Sequence, residues 1–203
     1  SPPGSPPSLR LRVLSCCLAL AQATCSWLWG RAQRYLAAWV LPHFLLITQG
    51  DLPLLKMETD ELVLLLRETF PEPGDTPAPP LPPAPLPHRE HRLCQHIRAT
   101  AASIQLLSGE APELFSAGCK RVSAQIFEQT MPLGKPWRVG HRSDLPACPS
   151  PYAVAAVQSV LGPVLRSLQL LPHDAQTPTL ARAITAFLEA WLGHVLARRV
   201  TFR

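Results

Sequence analysis

The sequence predicts an all-α protein: an irregular helical bundle or stacked-helix rod with a C-terminal antiparallel αα-hairpin and a proline-rich linker. Three observations carry that expectation. Apolar residues recur at steps of three and four through most of the 203 residues, hydroxyl–proline pairs open two of these runs, and the 24 prolines cluster so that they punctuate helices and form linkers. Apolar residues make up 47% of the chain and charged residues only 16%, a globular composition with little charge for a free-standing surface.

In chain order, residues 1–8 are a leader of proline and serine expected to be disordered, and residues 9–70 form an N-terminal helical segment. Arg10 and Arg12 precede Val13, Leu14, Leu18 and Leu20, and Ala21, Gln22, Ala23 follow. That order resembles a secretory signal, but a buried helix accounts for it better, since eight residues of linker stand before it. Trp27, Trp29, Tyr35 and Trp39 then interleave with Arg31 and Arg34. Such a mixture can stack bases, yet at helical spacing it reads as a core stripe with arginine stems over it. Residues 35–47 are strongly apolar, too short to span a bilayer and broken by Pro42, so no transmembrane segment is expected. Thr59 or Asp60 is expected to cap a short helix holding Leu62, Val63, Leu65, Leu66 and Phe70.

Residues 71–88 form the linker; nine of the seventeen residues 71–87 are proline, which favours extended polyproline chain. Within it Pro79, Pro80, Leu81 and Pro82 match a candidate ligand motif for WW-type modules, although such matches are common by chance in any proline tract and a plain spacer accounts for them better. Residues 89–203 make up the C-terminal bundle segment. Leu93, Ile97, Thr100, Ile104 and Leu107 give a short heptad-like seam, interrupted at Gly109–Pro112. Phe115, Cys119, Val122 and Ile126 resume one face, so this region is two helices or one bent rod. In the loop 131–149, Trp137 stands among Lys135, Arg138 and Arg142 as a candidate anchor onto the helices or onto a partner.

The hairpin at residues 150–203 is the best-formed pattern. Ser150 and Pro151 open a helix with Val154, Val157, Val160, Leu161, Val164, Leu165 and Leu168 on one stripe; Gly162 and Pro163 are expected to bend it. After a turn at 171–176, Thr177 and Pro178 are expected to start the last helix as N-cap and first residue. Leu180, Ile184, Phe187, Leu188, Trp191, Leu192 and Val195 lie along its stripe, the candidate partner-packing face. Beside them runs a strip of small residues, Ala183, Ala186, Ala190, Gly193 and Ala197. The stripe requires one neighbouring helix and the alanine strip accepts another.

The residues offer little chemistry. His88, His91, Cys94 and His96 are the one grouping that suggests a metal, but His91 and His96 diverge on a helix and no second ligand pair stands at finger-like spacing. His194 and Glu189 face different sides and cannot share a proton. Phosphate loop, dinucleotide fingerprint and nucleophile elbow are missing from the sequence, so no catalytic, cofactor or metal residue is assigned. The six cysteines, Cys16, Cys17, Cys25, Cys94, Cys119 and Cys148, lack a disulfide spacing and mostly fall within helical apolar patterns, which favours a reduced cytoplasmic compartment. The net charge of +5 comes from scattered residues, which makes nucleic acid an improbable partner while leaving peripheral contact with an acidic membrane open.

Ile126, Phe127, Glu128, Gln129, Thr130, Met131 and Pro132, then Lys135 and Trp137, and later Ala186, Phe187, Leu188, Glu189, Ala190, Trp191 and His194 form a specific constellation. With residues 51–70 and the proline tract, it resembles the coiled-coil domain-containing protein 142 family across most of the chain. The resemblance implies a longer helical region, of which this sequence is expected to be a fragment or processed form, and implies no catalytic or binding residue. The functional expectation is a non-enzymatic helical scaffold or adaptor that packs on other protein helices, in its most specific form a subunit of a membrane-tethering or trafficking assembly. The alternative is a basic nucleic-acid-associated helical protein.

Overall fold

The computed structural model describes residues 7–69, 88–131 and 148–198, with side chains from Leu9. Among these residues the secondary structure is helical, without strands. In order the helices are α1 (Pro7–Ala37), α2 (Leu41–Leu46), α3 (Leu52–Thr69), α4 (His88–Thr130), α5 (Pro151–Ala156), α6 (Gly162–Leu168) and α7 (His173–Ala197). The proline motif at Pro79, Pro80, Leu81 and Pro82, the Trp137 anchor, Phe70 and Phe202 lie outside the described residues.

The described residues fall into two compact units that are not consecutive in sequence. The first takes its members from Ser1–Gln33 and Ile47–Glu110, the second from Arg34–Leu46 and Ala111–Arg203.

The first unit is a three-helix arrangement whose directions follow from its two clusters. Leu14 of α1 packs with Leu66 of α3 and with Cys94 and Ile97 of α4. Further along α1, Cys25 packs with Leu52 of α3 and Ile104 of α4. Advancing along α1 therefore descends α3 and ascends α4, so α1 and α3 are antiparallel while α1 and α4 are parallel. Leu14, Ala21 and Leu28, all buried, recur every seven residues, as the inward seam of such a helix requires. Gln22 Nε2 donates to Thr100 Oγ1 across the α1–α4 contact at 3.4 Å.

Helix α1 ends through a hydrogen-bond pattern that normally uses glycine. The Val40 N–H donates to the Tyr35 carbonyl at 2.8 Å and the Trp39 N–H to the Leu36 carbonyl at 3.1 Å. Trp39 occupies the left-handed position at φ 56°, a conformation costly for a residue with a Cβ. Pro42 then sits at the second residue of α2, where no intrahelical donor is needed.

Two prolines are accommodated by the same device. A π-helical segment at Ile47–Asp51 precedes Pro53 by two residues, and another at Val157–Leu161 precedes Pro163 by two. Proline lacks the N–H that would reach four residues back, and its ring collides with that carbonyl, here Gln49 and Ser159. Widening the preceding turn shifts the bonding partner one residue further, as the Gly162 N–H shows by reaching the Val157 carbonyl. The helical path expected to bend at Gly162–Pro163 thus continues through a π turn into α6.

Three expected helix boundaries are corrected. Thr59 does not cap a helix: α3 begins at Leu52, and Thr59 is buried inside it, its hydroxyl donating to the Leu55 and Lys56 carbonyls at 2.9 Å each. The interruption at Gly109–Pro112 is absent, since α4 runs unbroken from His88 to Thr130 with Pro112 inside. Finally, α7 starts at His173, with Pro178 in its interior, where Thr177 and Pro178 were expected to begin it. Extended Pro172 initiates the helix instead, its carbonyl accepting from the Ala175 and Gln176 N–H groups at 3.0 and 3.2 Å.

The expectation of no transmembrane segment rests on residues 35–47, which are too short to span a bilayer; longer apolar helices lie elsewhere in the chain. Residues 9–37 of α1 and the whole of α7 are long and apolar enough to cross a membrane by length and composition, a test that soluble core helices also pass. The hydropathy of both helices comes largely from leucine and alanine, with cysteine contributing in α1.

Two glycines separate helix propensity from packing. A Cβ at Gly193 meets no heavy atom within 4 Å, so Gly193→Ala is expected to raise stability by about 1 kcal/mol. A Cβ at Gly118 lands 2.8 Å from Leu36 Cδ1, and Leu36 is itself buried. Gly118→Ala is therefore expected to forfeit that gain, and urea unfolding of the two variants checks the difference.

Candidate functional site

The second unit holds the residues singled out as a packing face. Helix α7 lies beside the second half of α4, joined by three ion pairs: Arg182 to Glu113 at 2.8 Å, Lys120 to Glu189 at 3.1 Å and Arg198 to Glu128 at 3.0 Å. Both helices advance together from one pair to the next, so they run parallel. All six side chains are exposed, and such pairs contribute at most about 1 kcal/mol each; they set register more than stability.

Packing beneath this ladder supplies the stability. Phe127 of α4, only 1% exposed, forms a cluster with Ala156 of α5 and Ala190 of α7. Its ring meets Phe187 at 5.2 Å between centroids and His194 at 6.4 Å. Phe44 of α2 stacks on Phe115 of α4 at 6.0 Å, and α2 packs on α6, which in turn packs on α7 across the turn 169–172.

Helix α7 buries part of each of its two apolar strips. Thr179, Ala183, Ala186, Ala190 and Val195 are its buried residues, so three alanines of the small-residue strip face inward while Gly193 and Ala197 are exposed. Leu180, Phe187 and Trp191 are half-buried at its border. Ile184, Leu188 and Leu192 point outward, exposed by 39, 54 and 51%, and Leu196 extends them at 68%. On the α4 side Ala190 lies against Phe127, and Ala186 lines a groove between the two helices beside the Arg182–Glu113 and Lys120–Glu189 pairs. The outward side chains form an apolar ridge at every fourth residue that no described residue covers. Periodicity also missed Phe127, because it stands one position beside the Phe115–Cys119–Val122–Ile126 face.

Other candidate chemistry is dispersed. Cys94 is buried in the first unit, whereas His88 and His96 are exposed, so their side chains diverge. Among the described residues no group of three or more His, Cys, Asp or Glu is placed to hold a metal. Cys25 and Cys119 are buried, and burial pushes the Cys25 thiol up and the Cys119 thiol up from 9.0 to about 12. An unfolded Cys119 ionises at lower pH than the folded one, so its contribution to stability is intact below pH 9.0 and is lost as pH rises toward about 12. Under native conditions near pH 8, maleimide is expected to modify exposed Cys16 and Cys148 and to spare Cys119 until the protein is unfolded; mass mapping of the labelled peptides checks this.

With this geometry established, comparison with known proteins places the chain. Residues 2–203 match the family described as coiled-coil protein 142. The chain belongs to that family. It is 40% identical to human coiled-coil domain-containing protein 142 over 185 residues, covering 91% of this chain and 23% of the human protein. The mouse protein of the same name is 38% identical over 201 residues, covering 99% of this chain and 25% of its own length. The chain thus spans about a quarter of the length of these family members. No solved structure matches.

Proposed function

We propose that this part of the family works as a helical scaffold through protein–protein packing, with the outward ridge of α7 as its docking face. The observation that carries the reading is the ridge itself: Ile184, Leu188, Leu192 and Leu196, exposed at every fourth residue on a helix held from behind by alanines and ion pairs. A four-residue ridge fits the groove of another amphipathic helix, the commonest mode of helix packing. The occupant is such a helix, contributed by a partner subunit or by another part of a longer family member. The absence of a catalytic constellation in the sequence agrees with a non-enzymatic role. In its most specific form, resting on analogy with stacked-helix rods, the assembly is one that tethers membranes or directs trafficking.

Cross-linking of the full-length protein in cells tests this. Leu188→Glu together with Leu192→Glu should leave the fold intact and remove a defined set of cross-linked helical partners, or change the protein's own hydrodynamic size. Unchanged cross-links and unchanged size would refute it. Binding of RNA that falls steeply with added salt, and that survives both substitutions, would favour the nucleic-acid reading instead.

A further inference from the structure

A second uncovered apolar face lies on α1, in the first unit, and its chemistry differs from that of the α7 ridge. Leu9, Val13, Leu20 and Trp27 are exposed, Leu20 by 68% and Trp27 by 57%. At about 100° per residue they fall on one stripe roughly 27 Å long, turned away from the side that buries Leu14, Ala21, Cys25 and Leu28. Between Arg12 and Arg31 the helix has no charged residue on any face, and α1 as a whole contains arginine but no aspartate or glutamate. Exposed surfaces of soluble domains normally intersperse charges of both signs. Helix α3 does so: its exposed Leu54, Met57, Leu64 and Leu65 are interspersed with Glu58, Glu61, Arg67 and Glu68.

Cations stand at both ends of the charge-free stripe. Arg10 and Arg12 lie at its start, and at its end the Arg31 guanidinium sits 5.4 Å from the centroid of the exposed Trp27 ring. Arg10 also lines a small cleft of about 110 Å³ between α1 and α3, whose other walls are mostly apolar, Val13 and Leu65 among them. A partner helix is selected by charges flanking the seam, and the middle of α1 offers none. A second copy pairing through the same face of α1 would bring only more arginine to it. An anionic bilayer matches what is present: apolar side chains for the acyl boundary, an indole for the headgroup level, and cations for the lipid anions.

We propose that this face of α1 docks flat on an anionic membrane surface, with Leu9, Val13, Leu20 and Trp27 in the acyl boundary and Arg10, Arg12 and Arg31 on the lipid headgroups. Lying flat leaves Leu14, Cys25 and their neighbours in the core of the unit, whereas crossing the bilayer would strip them from α3 and α4. The inference does not depend on the α7 ridge.

Co-sedimentation of the whole chain with vesicles tests it. The protein should sediment with vesicles of phosphatidylcholine and phosphatidylserine, stay in solution with phosphatidylcholine alone, and be released by added salt. Replacing Arg10, Arg12 and Arg31 together by glutamine should lower partition roughly a hundredfold, at about fivefold per arginine near an anionic surface. Leu20→Glu with Trp27→Glu should abolish it, and Leu188→Glu should leave it unchanged; these positions are exposed, and circular dichroism verifies that the helices persist. Equal binding to both vesicles, binding to neither, or full binding by the Leu20→Glu, Trp27→Glu protein would overturn the proposal. Retention through high salt and alkaline washing would overturn it in favour of a spanning helix. Lipid-independent self-association, lost with Leu20→Glu and accompanied by no vesicle binding, would overturn it in favour of a protein seam.

Discussion

Ala183→Leu is expected to destabilise the second unit by about 1–3 kcal/mol or more, while Leu188→Gln changes its stability by no more than about 0.5 kcal/mol. Ala183 is fully buried, and added methylenes there must push α7 off the helices it packs on. Leu188 is more than half exposed and loses few contacts on substitution. A reading of α7 by hydrophobicity alone demands the opposite order, because it places the leucine in the core. Chemical denaturation of the two variants at equilibrium decides between them.

Phe127→Ala is expected to cost about 3–5 kcal/mol, the range for removing a large aromatic side chain from a core. Its ring is 1% exposed and touches α5 and α7 at once, so the cavity would open between elements that cannot easily collapse into it. Trp191→Ala should cost less than Phe127→Ala, because the indole is half-buried at the border of the same cluster. A Phe127→Ala protein with unchanged urea midpoint would show that α4 and α7 are held by the exposed ion pairs, contrary to their small expected contribution.

The helical class was legible because apolar residues at steps of three and four recur in every described element, and these steps depend only on the 3.6-residue turn. Helix ends were less legible. Thr59 and the Thr177–Pro178 pair carry the chemistry of an N-cap, yet both lie inside helices, where Thr59 returns its hydroxyl bond to the preceding turn. A cap signature competes with the burial of neighbouring residues, and burial of Leu52 and Leu171 carries the helical path or its starting turn further upstream.

The orientation of α7 was not legible for a different reason. Its sequence offers two apolar strips, one large and one small, and a single helix contains no information on which neighbour comes closest. The answer lies in α4, where Glu113, Lys120 and Glu128 stand at the spacing that meets Arg182, Glu189 and Arg198. Those pairs set the register of α7 along α4, with Ala190 packed against Phe127 and the leucines left outside. The candidate face was thus half legible: Ile184, Leu188 and Leu192 are available to a partner, whereas Val195 is spent inside the unit and Leu180, Phe187 and Trp191 are half spent. The aromatic and arginine pattern on α1 suggests a core stripe, yet Trp27 and Leu20 face outward because Leu14, Ala21 and Leu28 already fill the inward seam.

The orientation of α7 is tested most directly by paramagnetic relaxation of methyl groups with a soluble, non-binding relaxation agent added to the folded protein. Methyls of Ile184, Leu188, Leu192 and Leu196 should relax strongly, while those of Val195, Val160, Val164 and Ala186 should be protected. Protection of Leu188 and Leu192 together with strong relaxation at Ala186 would contradict the account.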